Sequence, residues 1–280
     1  MRIGRDTIPI VSDSYPLSDI ALSRRLESCE GKTNAAFVEA RARLRPESGA
    51  TWIECAGAFA LFDGVGSPLT QTFCLGIFAT PTAAHLETIE RFFEERGADV
   101  AHEVSPMVSA QTLELLAARG YRPIELTSVM FRPIATSSHN NNDGRVRARI
   151  ASIDEVDLWS DTAAEGWREF GELSSFMRDI GRVSATSDGM TPFFAEIDGR
   201  PVGTGAVAIH DGVAILAGAS TIPEARKQGA QRALLEARLR HAAEHGCDLA
   251  TMGAAPGSAS QRNAERQGFR IAYTRIKWGR

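Results

Sequence analysis

Residues 214–246 read AILAGASTIPEARKQGAQRALLEARLRHAAEHG, which predicts a strand, a loop and a helix in direct succession. The apolar run that ends at Ser220 is typical of a buried strand. The helix, residues 231–245, repeats apolar residues at spacings of three and four, and Gly246 follows as its stop. A strand that leads directly into a helix in this way indicates an α/β protein.

The loop from Thr221 to Arg232 has the features of a phosphate-binding connection. A helix start presents unpaired backbone N–H groups and the positive end of the helix dipole, and Gly229 leaves room for close approach to the backbone. Arg226 and Lys227 add positive charge. The loop lacks both the Gly-Lys-Ser/Thr of a Walker loop and the three-glycine dinucleotide fingerprint. A basic, solvated turn before a surface helix is the alternative interpretation.

Two Asp-Gly pairs, at 198–199 and 211–212, separate apolar runs and predict hairpin turns. A Ser-x-x-Gln pattern at 258–261 has the form of a capping box that opens a short helix. The predicted strands of the second half are Phe193–Ile197, Val202–His210, Val213–Ser220, Asp248–Met252 and Ile271–Trp278. This order predicts a mixed sheet, mostly antiparallel, flanked by helices.

The two halves of the chain repeat each other. A short helix leads into Gly120-Tyr121-Arg122 in the first half and into Gly268-Phe269-Arg270 in the second. Upstream of these, each half has a helix that ends in glycine, at Gly97 and at Gly246, and further upstream LFDG (61–64) resembles EIDG (196–199). Three matches in the same order indicate a duplicated domain.

A polar segment without periodicity, ATSSHNNNDG at 135–144, predicts the linker between the copies. We therefore expect domains at 1–134 and 145–280. The copies differ at one place, because Gly76 to Gly97 spans 21 residues and Gly218 to Gly246 spans 28. We expect the seven extra residues to lie in the basic loop between strand and helix, so that only the second copy carries its chemistry.

Composition narrows the classes of function. With 280 residues, 43% of them hydrophobic, and a net charge of −4, the chain is a globular protein without the basic balance of a general nucleic-acid binder. No apolar run is long enough for a membrane span, and no signal peptide is predicted. The four cysteines have no metal-site spacing, which predicts a reducing, cytoplasmic setting and no bound metal.

The loop resembles motif A of the GNAT superfamily of acyl-CoA N-acetyltransferases, Arg/Gln-x-x-Gly-x-Gly/Ala. Arg226 and Gly229 match this pattern, whereas Gln231 stands where Gly or Ala is usual. The element order and the helix at 258–269 that ends in Gly-Phe before a last strand also resemble the family. The resemblance covers about 145–280, and it implies two tandem GNAT-like domains of which the first is degenerate.

The resemblance implies acetyl transfer from acetyl-CoA to the amine of a small molecule or peptide. Main-chain N–H groups from Gln228 through Gly229, Ala230 and Gln231 to Arg232 would hold the diphosphate. The strand edge at Ala219, Ser220 and Thr221 would pair with the pantetheine arm, and the gap beside Asp248–Met252 would admit the thioester. The predicted cofactor-binding residues are Ala219, Ser220, Thr221, Arg226, Lys227, Gln228, Gly229, Ala230, Gln231, Arg232 and Asn263.

Catalytic residues follow from the chemistry of the transfer. The attacking amine must be neutral, so a base is expected, and the departing thiolate can take a proton from an acid. Many family members use a tyrosine four residues before the Gly-Phe, where this chain has Ala264. Tyr273 is therefore the candidate acid and Glu196, in a region where family members place a base, the candidate base. A strand residue packed on the sheet and a solvated glutamate are the respective alternatives.

Other functions stay open at this point. The missing tyrosine and Gln231 favour a non-catalytic acyl-CoA-binding sensor, and a third hypothesis is an interaction protein built on the same fold. Neither nucleic acid nor membrane is expected as a partner, and a homodimer is left open. On the acceptor side, Glu165, Glu169, Glu172 and Asp179 would attract a cationic amine, or form an ordinary solvated face.

Overall fold

The protein is described by a computed structural model that covers residues 15–134 and 145–280, so the predicted linker lies outside the described residues. The first half contains α1 (Ile20–Leu44), β1 (Thr51–Cys55), β2 (Ala58–Phe62), β3 (Gln71–Phe73), α2 (Ala83–Glu94), β4 (Ala101–Val104), α3 (Ala110–Ala118) and β5 (Arg122–Pro133). The second half contains β6 (Val146–Ile150), α4 (Val156–Glu165), α5 (Glu172–Ala185), β7 (Met190–Ile197), β8 (Arg200–His210), β9 (Val213–Thr221), α6 (Ala230–Glu244), β10 (Leu249–Ala254), α7 (Ala259–Arg266) and β11 (Arg270–Gly279).

The described strands form one mixed sheet of eleven, in the order β1-β2-β3-β4-β11-β5-β10-β9-β8-β7-β6. Among them only β3–β4 and β9–β10 pair in parallel. The predicted α/β class with mostly antiparallel pairing is confirmed. The two halves do not, however, form two separate sheets, because their strands are joined into one.

The last strands of the two halves are exchanged at the centre of this sheet. Strand β5 of the first half pairs antiparallel with β10 of the second, with Val129 opposite Gly253. Strand β11 of the second half pairs antiparallel with β4 of the first, with Trp278 opposite His102. The two exchanged strands also pair with each other. The sheet of each half is therefore completed by the last strand of the other half.

The duplication predicted from sequence is visible on either side of the exchanged pair. Outward from the centre, β4, β3, β2 and β1 correspond to β10, β9, β8 and β7. The Gly97/Gly246 and Gly120/Gly268 matches fall at equivalent helix ends. The third match is wrong by one strand. LFDG lies at the end of β2, whose counterpart is β8, whereas EIDG lies at the end of β7. The true counterpart of LFDG is the turn after β8, at 211–212.

The hairpin turns form where Asp-Gly pairs predict them. Asp198 and Gly199 have φ angles of 52° and 75°, and Asp211 and Gly212 have 50° and 76°. Two successive positive φ values make the tight turn whose twist matches paired strands. The resulting β7–β8–β9 meander carries helices on both faces, since Ala206 packs in the cluster under α4 and Val207 in the cluster under α6.

A buried charge cluster fastens α1 to the exchanged strand β11. Arg275, 3% exposed, donates from Nε to Glu103 at 2.9 Å and from Nη1 and Nη2 to Glu30 at 2.6 and 2.8 Å. Glu27, 1% exposed, accepts from the Tyr273 hydroxyl at 2.8 Å. Three carboxylates thus surround one guanidinium, and burial raises the pKa of Glu27 from 4.5 to about 7.

The raised pKa of Glu27 predicts a pH-dependent stability. Between pH 4.5 and about 7 the folded protein keeps a proton on Glu27 that the unfolded chain releases, so the free energy of unfolding falls as pH rises. Glu27→Gln mimics the protonated state and should be more stable than the parent by about 1–3 kcal/mol at pH 8, with the difference vanishing near pH 4.5. Urea unfolding at both pH values measures this, and equal differences at both would contradict it.

The strand exchange predicts that residues 145–280 do not fold normally alone. Without β5, strands β10 and β11 of the second half have no strand between them and expose unpaired edges to aggregation. We expect this fragment to be poorly soluble or weakly active beside the full chain, as measured by solubility and CoA release. A soluble, monomeric and fully active fragment would overturn this interpretation of the sheet.

No helix among residues 15–134 and 145–280 is long and apolar enough to cross a membrane.

Candidate functional site

A V-shaped gap opens between β9 and β10. The two strands pair in parallel only over Val213–Ile215 and Leu249–Thr251. Beyond these residues both strands continue, β9 held by β8 and β10 held by β5. The two sides of the gap are therefore fixed by different neighbours, one of which comes from the first half.

A cleft of about 810 Å³ extends from this gap to the start of α6. Ten of the eleven predicted cofactor-binding residues line it: Ala219, Ser220, Thr221, Arg226, Lys227, Gly229, Ala230, Gln231, Arg232 and Asn263. The exception is Gln228, whose side chain turns back and donates to the Glu224 carbonyl at 2.8 Å. Residues that lie 44 positions apart in the sequence, from Ala219 to Asn263, thus meet at one surface.

The α6 N-terminus at this cleft has no side-chain cap. Its N-cap is Gly229, with a φ of 94°, and the first helical hydrogen bond runs from Ala233 N–H to the Gly229 carbonyl at 3.0 Å. The N–H groups of 230–232 therefore have no partner within the helix. Unpaired amides together with the positive dipole end favour an anion at this position.

The equivalent helix of the first half is capped by its own side chains. Thr82 accepts from His85 N–H, and the His85 ring accepts from Thr82 N–H, both at 3.3 Å.

The prediction that the loop of the second half is longer than that of the first is wrong. Eight residues, 222–229, join β9 to α6, and nine, 74–82, join β3 to α2. Six of the seven additional residues arise because Gly76 lies three residues after the end of β3, whereas Gly218 lies three residues before the end of β9. The copies therefore differ in capping rather than in loop length.

Two side chains of the loop make contacts that shape the cleft. Arg226 pairs with Glu169 and donates to the Gly166 carbonyl at 2.9 Å, which ties the loop to the segment between α4 and α5. Gln231 donates from Nε2 to the Ser220 carbonyl and to Thr221 Oγ1, both at 2.8 Å. A ligand that pairs with the Ser220 carbonyl must therefore displace the Gln231 carboxamide.

A β-bulge shapes the side of the cleft formed by β9. Thr204 lies opposite Ser220 and Ala206 opposite Ala217, so β9 has one extra residue between these pairs. Gly218 adopts a φ of 62° there, and its carbonyl accepts from Thr204 Oγ1 at 3.0 Å. Bulges of this kind re-aim the backbone at functional sites.

The structure does not bring either predicted catalytic residue to the cleft. Glu196 lies on β7, two strands from β9, and accepts from Arg149 Nε at 2.7 Å. Tyr273 lies on β11, with β5 and β10 between it and β9, and its hydroxyl is bound to Glu27 in the buried charge cluster. Burial raises its pKa well above the ordinary value. Both side chains are therefore engaged in the packing of the sheet rather than at the gap.

The cleft lining itself has an unusual composition. Among the described residues it contains no carboxylate, imidazole, phenol or thiol, and Ala264 occupies the position of the usual tyrosine. Five cationic side chains line it: Arg226, Lys227, Arg232, Arg238 and Arg266. The described part of the chain also holds no cluster of His, Cys, Asp or Glu suited to a metal ion. The site is thus equipped to bind an anionic molecule.

Trp167 and Arg238 are two of the lining residues that sequence reasoning missed. Trp167 lines the cleft with its indole Nε1 buried and without a hydrogen-bond partner among the described residues. Arg238 lies on the side of α6 that faces the sheet. The sequence contains a signal for Arg238, because it follows Leu234 by four residues and so shares the apolar face of the helix. No comparable signal marks Trp167.

The acidic residues expected to attract an amine are mostly paired with arginines. Glu165 contacts Arg168, and Glu169 contacts Arg226. Asp179 contacts Arg41 of α1 and Arg45, the C-cap of that helix. Glu172 lies in the first turn of α5. The Asp179 pairs, with the apolar cluster of Phe37, Ala40 and Val183, fasten α5 to the first half. The first half therefore positions a helix that lies next to the cleft.

Comparison with a family model adds to this geometry. Residues 155–269 match the model of the Acetyltransferase (GNAT) family, a segment that runs from α4 to the start of β11. No curated protein sequence matches the chain.

Solved structures share the fold over most of the chain. A GCN5-related N-acetyltransferase from Kribbella flavida is 20% identical, with a TM-score of 0.60 over 87% of this chain and 95% of that one. A tandem GNAT protein from the clavulanic acid biosynthesis pathway is 12% identical, with a TM-score of 0.56 over 94% and 96%. A functionally unknown protein from Staphylococcus epidermidis is 12% identical, with a TM-score of 0.52 over 76% and 85%.

Proposed function

From the premise that residues 155–269 of this chain belong to the Acetyltransferase (GNAT) family, we propose that the protein transfers an acetyl group from acetyl-CoA to an amine. The observation that carries the proposal is the uncapped N-terminus of α6 at the cleft between β9 and β10. We further propose that residues 145–280 hold the active site and that 1–134 form the supporting copy.

The α6 amides would bind the diphosphate of the donor. Three exposed cations, Arg226, Lys227 and Arg232, surround these amides and complement a polyanion. The pantetheine arm would lie along the β9 edge at 219–221, where it replaces the Gln231 carboxamide. The thioester would then reach the bulge at Gly218, near the closed end of the V-shaped gap.

In the transfer, the amine nitrogen bonds to the thioester carbonyl carbon, and the carbon–sulfur bond breaks. The amine loses one proton, and the departing CoA thiolate takes up one. An alkyl amine has a pKa near 10.4, so its proton must be removed before attack. Because the described cleft lining has no carboxylate, imidazole, phenol or thiol to accept it, we propose that solvent carries this proton, which makes turnover rise with pH through the amine's own pKa.

A non-catalytic acyl-CoA sensor is the second candidate function. The observation that favours it is the same absence of carboxylate, imidazole, phenol and thiol from the described cleft lining. A sensor would bind acetyl-CoA without consuming it, so that binding and turnover separate the two candidates.

Acetyl-CoA should raise the melting temperature of the protein, since a ligand that binds only the folded state stabilises it. Gly229→Glu should abolish this shift, because its carboxylate would stand at the diphosphate position. Gly199→Glu is the matched control, since Gly199 also has a positive φ and open space around it but lies in the β7–β8 turn. Equal shifts in the two variants would refute the loop assignment.

Turnover is then measured as CoA release against a panel of small amines and peptide amines. The proposal predicts release with at least one amine by the parent protein and none by Gly229→Glu. Binding without release across the panel would favour the sensor.

A further inference from the structure

Arg238 places a charged group inside the cleft, on the side formed by α6. The residue is 3% exposed and donates from Nε to the Leu234 carbonyl at 3.1 Å. Its Nη1 donates to the Ala206 and Ala217 carbonyls, both at 3.2 Å. Gly205 makes room for it, because a Cβ there would lie 2.9 Å from the guanidinium carbon. The guanidinium therefore occupies the space that a side chain at position 205 would fill.

The guanidinium has no anionic partner in the described residues. Its hydrogen bonds go to three backbone carbonyls through Nε and Nη1, and Nη2 has no partner among the residues at 15–134 and 145–280. Burial lowers the pKa of Arg238 to about 10, so the group is still charged at neutral pH. A buried charge without a counter-ion is costly, and an anion that enters the cleft would relieve that cost.

The position of Arg238 distinguishes it from the other cations of the cleft. Arg226, Lys227, Arg232 and Arg266 are exposed, whereas Arg238 is buried and shares the cleft lining with the apolar Leu216, Leu235 and Met252. It lies eight residues beyond Ala230, about 12 Å along the helix at 1.5 Å per residue. The exposed cations suit the phosphates of the donor, and Arg238 lies too deep along α6 to share them.

We propose that Arg238 binds a carboxylate at the free end of the donor's acyl group, so that the cleft prefers CoA thioesters of dicarboxylic acids over acetyl-CoA. This inference rests on the proposed acyl transfer at the same site. The donor carries the carboxylate because Arg238 belongs to the α6 side of the cleft, which also holds the diphosphate position. The carboxylate does not react, since the amine still attacks the thioester carbonyl and CoA still leaves with a proton.

The test compares dissociation constants of acetyl-CoA, butanoyl-CoA and succinyl-CoA by calorimetry, without an amine. Butanoyl-CoA is the neutral control, since it has the same four-carbon chain as succinyl-CoA but no carboxylate. The parent protein should bind succinyl-CoA at least tenfold more tightly than butanoyl-CoA. Arg238→Met, which keeps an apolar side chain of similar length, should lose this preference.

Each outcome bears on the proposal. Equal affinities of the parent protein for succinyl-CoA and butanoyl-CoA would overturn the role of Arg238 and leave acetyl-CoA binding intact. A preference that persists in Arg238→Met would overturn it as well. If no thioester binds, the proposed function fails together with this inference. Because succinyl-CoA and butanoyl-CoA are compared on the parent protein, the proposal stays testable if Arg238→Met does not fold.

Discussion

The antiparallel pair formed by β5 and β11 is the contact on which the rest of this structure depends. Each of these strands completes the sheet of the half to which it does not belong. The β10 side of the cleft is held by β5, so the geometry of the gap is set by a strand of the first half. The buried cluster around Arg275 adds ionic contacts between α1 and β11. The first copy thus supports the second through the sheet itself.

The two copies have diverged at a helix N-terminus. In the first copy Thr82 and His85 form a capping box, which gives the N–H groups of these two residues side-chain partners at the start of α2. In the second copy Gly229 leaves the amides of α6 without a side-chain partner, beside a gap between parallel strands. The loops that lead into α6 and α2 have eight and nine residues, so the two copies do not differ in the length of this loop. We therefore propose that a change in capping residues separates a copy that binds the donor from a copy that supports it.

Local features could be predicted from the sequence, and long-range ones could not. Asp-Gly turns, the α6 helix and the loop residues depend on neighbours in the chain, and the structure places nearly all the loop residues at one cleft. The strand exchange could not be predicted, because it depends on which strand β11 pairs with. The alternation of apolar and polar residues in β11 would be the same beside β10 of its own half as beside β4 of the other half. The structure places Glu196 and Tyr273 away from the gap, and the sequence cannot predict this placement for the same reason, since their partners Arg149 and Glu27 lie far away in sequence.

The central claim is that one chain holds a single donor site, in the second copy, supported by the first. Calorimetric titration of the full chain with acetyl-CoA measures this directly. The account predicts one molecule bound per chain, because among the described helices α6 presents an N-terminus without a side-chain cap at the cleft, whereas α2 is capped by Thr82. Two molecules bound per chain would contradict the account, since the Thr82-capped copy would then also bind the donor.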